Sequence, residues 1–254
     1  MRAWIILCLW GWFHSESLSA QTNFAVPSKI LCVRFHQNSL FIGTQDQGVF
    51  LVKDVFAESI KPEPKTVTGL PSKINDLVFK DDSTWVAATD EGLFIIKNDR
   101  ITEVFNLNNG IPSNTIQCLD VSPNGALWVG TNKGLGQFYR NNYKSYNSNL
   151  GLPDDDVRLL RSDSKNRVWV VTAKGLTLID DKGTKVTPQR GIVSLTLDQN
   201  DLPFFGTSEG GLWFLKNDTI IPIKQYQRSV FKYLYSDAVR RMWAVNSDTL
   251  LFEI

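Results

Sequence analysis

Histidine is almost missing from this chain of 254 residues: there are two, His14 and His36. His14 falls in an N-terminal stretch that reads as an export leader, which leaves His36 alone in the remainder. Cysteine is nearly as scarce, with Cys8 in that same stretch and then Cys32 and Cys118. One histidine and two cysteines cannot build a His-rich zinc site. A Ser-His-Asp triad would have to use His36, and no nucleophile elbow accompanies it. An excess of one charge is also lacking: 27 Lys plus Arg against 26 Asp plus Glu give a net charge of +1. That balance gives no basic field for nucleic acid, and there is no long acidic tail. The apolar run from Ala3 to Phe13 is shorter than the ~20 residues that span a bilayer. No stretch holds a helical period of apolar residues. No Gly-rich phosphate loop is present, because Gly134-Leu135-Gly136 is explained by a hairpin turn.

What the chain does have is repetition. A Gly-Leu step recurs as Gly48-Val49, Gly92-Leu93, Gly134-Leu135, Gly175-Leu176 and Gly211-Leu212, at intervals of 44, 42, 41 and 36 residues. A sixth step falls 38 residues later at Thr249-Leu250, without its glycine. The aromatic ahead of each step is Phe41, Trp85, Trp128, Trp169, Phe204 and Trp243. A small-Thr pair follows that aromatic at Gly43-Thr44, Ala88-Thr89, Gly130-Thr131 and Gly206-Thr207, with weaker versions at Val171-Thr172 and Val245-Asn246. A period near forty residues, all strand and turn, predicts radial blades of four strands around a central channel.

The third copy shows the reading in detail. Strands are expected over about 116–121, 126–130, 134–139 and 143–147. Leu127-Trp128-Val129 and Val168-Trp169-Val170 suit a half-buried pleat. One Trp per blade fills the wedge between neighbouring sheets, burying ~150–250 Å². Thr131-Asn132-Lys133-Gly134 is a hairpin turn whose glycine supplies positive φ. Cys32 and Cys118 fall at the same point of the repeat two blades apart, beyond the ~7 Å Cα limit for a disulfide. Two buried thiols are expected.

The run Gly110-Ile111-Pro112-Ser113-Asn114, then Leu127-Trp128-Val129-Gly130-Thr131, then Gly134-Leu135 resembles the two-component regulator propeller repeat. The resemblance covers roughly residues 25–254, and it is looser at Gly191-Ile192-Val193 and in the last copy. It implies a β-propeller outside the cytoplasm of a Gram-negative bacterium, used for sensing or binding, with no catalytic residue and no cofactor. The hybrid sensors that carry the repeat are several times longer. This chain is therefore expected to be either a stand-alone protein or the front end of a longer reading frame.

The expected organisation is a signal peptide over 1–20, followed by an all-β propeller over 21–254. Arg2, the short apolar run and the small residues before Gln21 are the leader's marks. Six four-stranded antiparallel blades are expected at about 25–66, 67–108, 109–149, 150–189, 190–226 and 227–254, about 39 residues each. The last copy ends where its third strand should, so Gln21 to Val26 is the candidate for its outer strand. A seven-bladed or incomplete ring is the alternative.

In a four-stranded blade the fourth-to-first connections and the second-to-third hairpins emerge on one face. The residues there that differ between copies are Lys73, Asn75, Asp90, Glu91, Asn114, Asn132, Lys133, Asp154, Asp155, Lys174, Arg190, Glu209 and Arg228. A rigid frame carrying variable loops is where binding residues collect. The mixture of amides and both charge signs suits a small polar ligand such as an oligosaccharide, or another extracytoplasmic protein domain. A propeller enzyme similar to the streptogramin lyases is the third reading, and the shortage of histidine counts against it. Asp154-Asp155-Asp156 lacks the alternating spacing of a calcium loop and reads as ordinary turn residues, so no metal is expected.

Overall fold

The structure, a computed structural model, describes residues 3–7, 22–53, 63–140, 142–227, 229–236, 242–246 and 251–253. Arg228, the Thr249-Leu250 step and residues 8–20 of the expected signal peptide lie outside the described residues. The chain divides into two compact units, residues 1–105 and 106–254.

In the first unit β1 (Ala3–Leu7) and β2 (Thr22–Val26) form a two-stranded antiparallel ladder. Thr22–Val26, the candidate outer strand of the last blade, is thus paired with β1. Two four-stranded sheets follow. The first holds β3 (Ile30–His36), β4 (Ser39–Thr44), β5 (Val49–Val52) and β6 (Glu63–Lys65). The second holds β7 (Asp76–Phe79), β8 (Thr84–Ala88), β9 (Leu93–Lys97) and β10 (Arg100–Phe105).

The second unit continues the pattern. Its sheets are β11 (Ile116–Val121), β12 (Leu127–Thr131), β13 (Gly134–Tyr139) and β14 (Asn142–Tyr146); β15 (Val157–Ser162), β16 (Val168–Thr172), β17 (Leu176–Asp180) and β18 (Gly183–Thr187); and β19 (Ile192–Leu197), β20 (Pro203–Thr207), β21 (Leu212–Lys216) and β22 (Thr219–Pro222). The last sheet has only β23 (Phe231–Ser236), β24 (Met242–Asn246) and β25 (Leu251–Glu253). The expectation of six four-stranded blades is therefore corrected. Among the described residues five sheets have four strands and the last has three.

Strands are called a to d in chain order within each sheet, which is also their spatial order. The second strands are buried at every position in β8, β12 and β16. This corrects the half-buried reading of Leu127-Trp128-Val129: a strand covered on both faces carries a continuous apolar run. The fourth strands Asn142–Tyr146 and Gly183–Thr187 are polar and mostly exposed. The core lies between consecutive sheets. Cys32 and Phe41 pack with Ile74, Leu77 and Trp85. Cys118, Trp128 and Leu135 pack with Leu152, Val157 and Leu160. Trp169 and Leu176 pack with Ile192 and Phe205, and Leu212 packs with Phe231 and Leu234. The blade tryptophans Trp85, Trp128 and Trp169 are at most 7% exposed, as a wedge filler must be.

The first strand of five sheets carries a β-bulge near its start, at Ile30/Cys32, Ile116/Cys118, Val157/Leu159, Ile192/Ser194 and Phe231/Tyr233. A bulge bends and twists its strand, and its recurrence makes it part of the repeat. Cys32 and Cys118 stand just after it, buried and unpaired in any disulfide. Each thiol lies against the glycine of the Gly-Thr pair, Gly43 or Gly130, where a Cβ would collide with the sulfur.

Candidate functional site

The meander places the b–c hairpins and the d–a connections at one end of each sheet, and hydrogen bonds join them. Gly48 N donates to Ser72 O and Gly134 N to Asp155 O, each at 2.7 Å, and Gly211 N donates to Ser229 O at 2.9 Å. Gly134 has φ +122, and a Cβ there would lie 2.6 Å from Tyr146 O. The threonine of each small-Thr pair fastens the hairpin from within. The hydroxyls of Thr44, Thr89 and Thr131 donate to Gly48, Gly92 and Gly134 O at 2.8 Å and accept from Gln47, Glu91 and Lys133 N. Thr172 makes the same pair of bonds, so Val171-Thr172 is a full copy in this respect.

In the first unit the structure brings together Lys73, Asn75 and Asp90. Lys73 Nζ reaches Asp90 Oδ2 at 2.7 Å, and Asn75 Nδ2 donates to Asp90 Oδ1 at 2.8 Å. Partial burial works against the Asp90 anion, but these hydrogen bonds and the Lys73 charge outweigh it and hold the carboxyl below its usual range. Glu91 stands exposed beside them.

In the second unit the charges are exchanged: Asp154 lies on the connection and Lys174 on the hairpin, with Nζ 2.9 Å from Oδ2. The Asp156 backbone N–H and then Lys174 lower the Asp154 carboxyl. Asn114 and Asp155 serve the backbone. Asn114 Oδ1 accepts from Leu107 N at 2.7 Å, and Asp155 Oδ1 accepts from Ser148 N at 2.6 Å, each tying a 3-10 turn to the connection that follows it. Asp156 accepts from Gln117 Nε2 and from Arg158 Nε. All three adjacent carboxylates are thus engaged, and among the described residues no group of three His, Cys, Asp or Glu is placed to hold a metal ion. Asn132, Lys133, Arg190 and Glu209 are exposed. This set can donate and accept hydrogen bonds and balance either charge.

Two features escaped sequence reasoning. Leu107 and Leu150 sit exposed on the 3-10 turns, each at 56%. Their signal was the Asn-rich segment ahead of Gly110 and Gly151. The other is Asp120, partly buried in β11, which accepts from Ser162 N. Burial pushes its carboxyl above the usual range, against the opposing pull of Arg161.

The sheets, their order and the repeated hairpin lock define the class, an all-β propeller of four-stranded antiparallel blades. Within that class, residues 110–133 match the Two component regulator propeller, and the chain carries that repeat. Among solved structures it is similar to the extracellular domain of BT4673 from B. thetaiotaomicron, assigned to a hybrid two component system (TM-score 0.70, 18% identity, 89% of this chain and 33% of that one). It is similar to PorZ, a surface component of the type-IX secretion system of Porphyromonas gingivalis (TM-score 0.64, 12% identity, 92% of this chain and 42% of that one). It is also similar to virginiamycin B lyase from Staphylococcus aureus (TM-score 0.66, 14% identity, 89% of this chain and 84% of that one). At these identities the likeness concerns the fold. The chain spans about one third of the BT4673 domain. No curated protein matches the sequence. Among the described residues no helix is long and apolar enough to cross a membrane.

Proposed function

We propose that the chain is an exported, non-enzymatic propeller module for sensing, and that the face of b–c hairpins and d–a connections takes a small polar ligand such as an oligosaccharide. The observation that carries this reading is the likeness to extracellular domains of two-component systems, together with the repeat at 110–133. On that face Asn132, Lys133, Arg190 and Glu209 are the groups to bind with. The periplasm is the compartment that the leader and these relatives favour. Catalysis is disfavoured because His36 ends β3, beside the a–b turn and away from this face. The test is thermal unfolding of the purified protein alone and against a panel of oligosaccharides and small metabolites. One ligand class should raise the melting temperature, and Lys133→Ala should remove that rise while leaving the unliganded melt unchanged. A panel without any shift argues against the reading.

A second reading, docking of another extracytoplasmic protein, is favoured by Leu107 and Leu150. Two exposed leucines held on fastened turns suit a protein surface better than a sugar. Retention of a partner that is lost in Leu107→Ser with Leu150→Ser would support it.

A further inference from the structure

We propose a second ligand site in the first unit, a cleft between its two four-stranded sheets that accepts a small flat carboxylic acid. The cleft has a volume of about 380 Å³ and is bordered by the a–b and c–d turns, so it opens away from the hairpin face. Its walls are rings. His36 stacks on Phe79 with centroids 4.0 Å apart and planes at 7°, and Phe41 meets Phe79 edge-on at 4.8 Å. Trp85 closes the wall and is 3% exposed.

Two nitrogens of the residues that line this wall have no hydrogen-bond partner, Trp85 Nε1 and His36 Nε2, and both are covered, so a ligand reaches them only as neighbouring side chains move aside. An indole N–H only donates, and a buried donor without an acceptor is costly. The repeat shows what is missing. Trp128 Nε1 donates to Ser122 Oγ at 2.8 Å, from the a–b turn of its own sheet. In the Trp85 sheet that turn is two residues shorter, Phe79 pairing with Trp85 where Asp120 pairs with Trp128, and no hydroxyl fills the role. Trp169 Nε1 is also unpartnered, and it lies outside this cleft.

The rim adds two ammonium groups. Lys65 Nζ is 2.7 Å from Asp99 and 5.8 Å from the Phe41 centroid. Lys53 is 72% exposed and only 3.8 Å from Glu63. The indole N–H inside and the ammonium groups outside call for acceptor oxygens, His36 Nε2 joins them in the tautomer that carries its proton there, and ring walls call for a flat body. Entry of the acid moves the exposed Asp82 side chain from its position 3.7 Å from His36 Nε2.

The probe is benzoate, with benzamide as its neutral counterpart, followed through the Trp85 indole N–H resonance assigned with Trp85→Phe. Benzoate should shift that resonance saturably and bind about tenfold more tightly than benzamide. His36→Leu should weaken benzoate about tenfold, and Lys53→Met, at a mostly exposed position, should weaken it too. Lys133→Ala, on the hairpin face, should leave it unchanged. The proposal is overturned if the resonance does not move, as when a trapped water already serves the indole. Equal affinity for the two probes overturns it, as does full binding in Lys53→Met.

Discussion

The threonine that closes each hairpin decides more than its size suggests. Thr131 is fully buried, donates to Gly134 O and accepts from Lys133 N. Valine fills the same space and makes neither bond, leaving buried polar groups unpaired. Thr131→Val should therefore lower unfolding free energy by about 1–3 kcal/mol, while Thr131→Ser should retain most of it, as urea melts will show. Asp120 works in the opposite sense. Its folded-state pKa is raised by burial, so the folded chain holds its proton more tightly than the unfolded chain. The penalty is small below the unfolded carboxylate value of about 3.9 and grows as pH rises through the raised folded value. Asn at this position still accepts from Ser162 N. Asp120→Asn should thus gain on wild type between pH 4 and pH 7, and a constant difference across that range would contradict the account. Cys32 follows the same physics: burial, then the Asp76 charge, pushes its thiol up to about 12. It should resist thiol reagents at pH 8 until the protein unfolds.

At the scale of elements, consecutive sheets of the second unit are joined by side chains as well as by core packing. In the a–b turns Asn166 Oδ1 accepts from Asn124 N at 2.8 Å, and Asp201 accepts from Ser164 N at 3.1 Å and from Ser164 Oγ at 2.5 Å. Asp201 is buried, so losing it strands the Ser164 N–H as well. Asp201→Ala should cost about 1–3 kcal/mol and Asp201→Asn less, because the amide oxygen still accepts. The same turns show what was legible in the sequence. Ser122-Pro123-Asn124-Gly125 and Asp163-Ser164-Lys165-Asn166 announce turns by residue type. Which residue of one turn reaches the next was not legible, because the partners lie 37 to 42 positions apart and carry no local signature.

For the molecule as a whole, stability responds to acid in a direction set by carboxylates at the hairpin ends of both units. Asp90 and Asp154 both have lowered folded-state pKa values. Their contribution is complete above the unfolded value of about 3.9 and is lost as pH falls through the lower folded values. Both groups are partly exposed, so solvent screening keeps the effect modest. Melting temperature should fall from pH 5 to pH 2, and the double variant Asp90→Asn with Asp154→Asn should flatten that fall. An unchanged slope would mean that other carboxylates control the acid limb.

The sequence alone determined the repeat, the strand-and-turn composition, the position of the buried tryptophan and the hairpin glycine. These are local consequences of side-chain shape and φ, so each copy states them independently. Strand limits in the third copy, expected at 116–121 and 134–139, are found at Ile116–Val121 and Gly134–Tyr139. Only the tertiary structure decided which candidate site residues are free. Lys73, Asn75 and Asp90 satisfy one another, Asp154 holds Lys174, and Asn114 and Asp155 hold backbone, while Lys133 and its exposed neighbours are the groups proposed to meet a ligand. The orphan nitrogens of His36 and Trp85 are likewise invisible in the chain. A hydrogen bond between side chains far apart in sequence depends on distances of a few tenths of an ångström, which packing sets and composition does not.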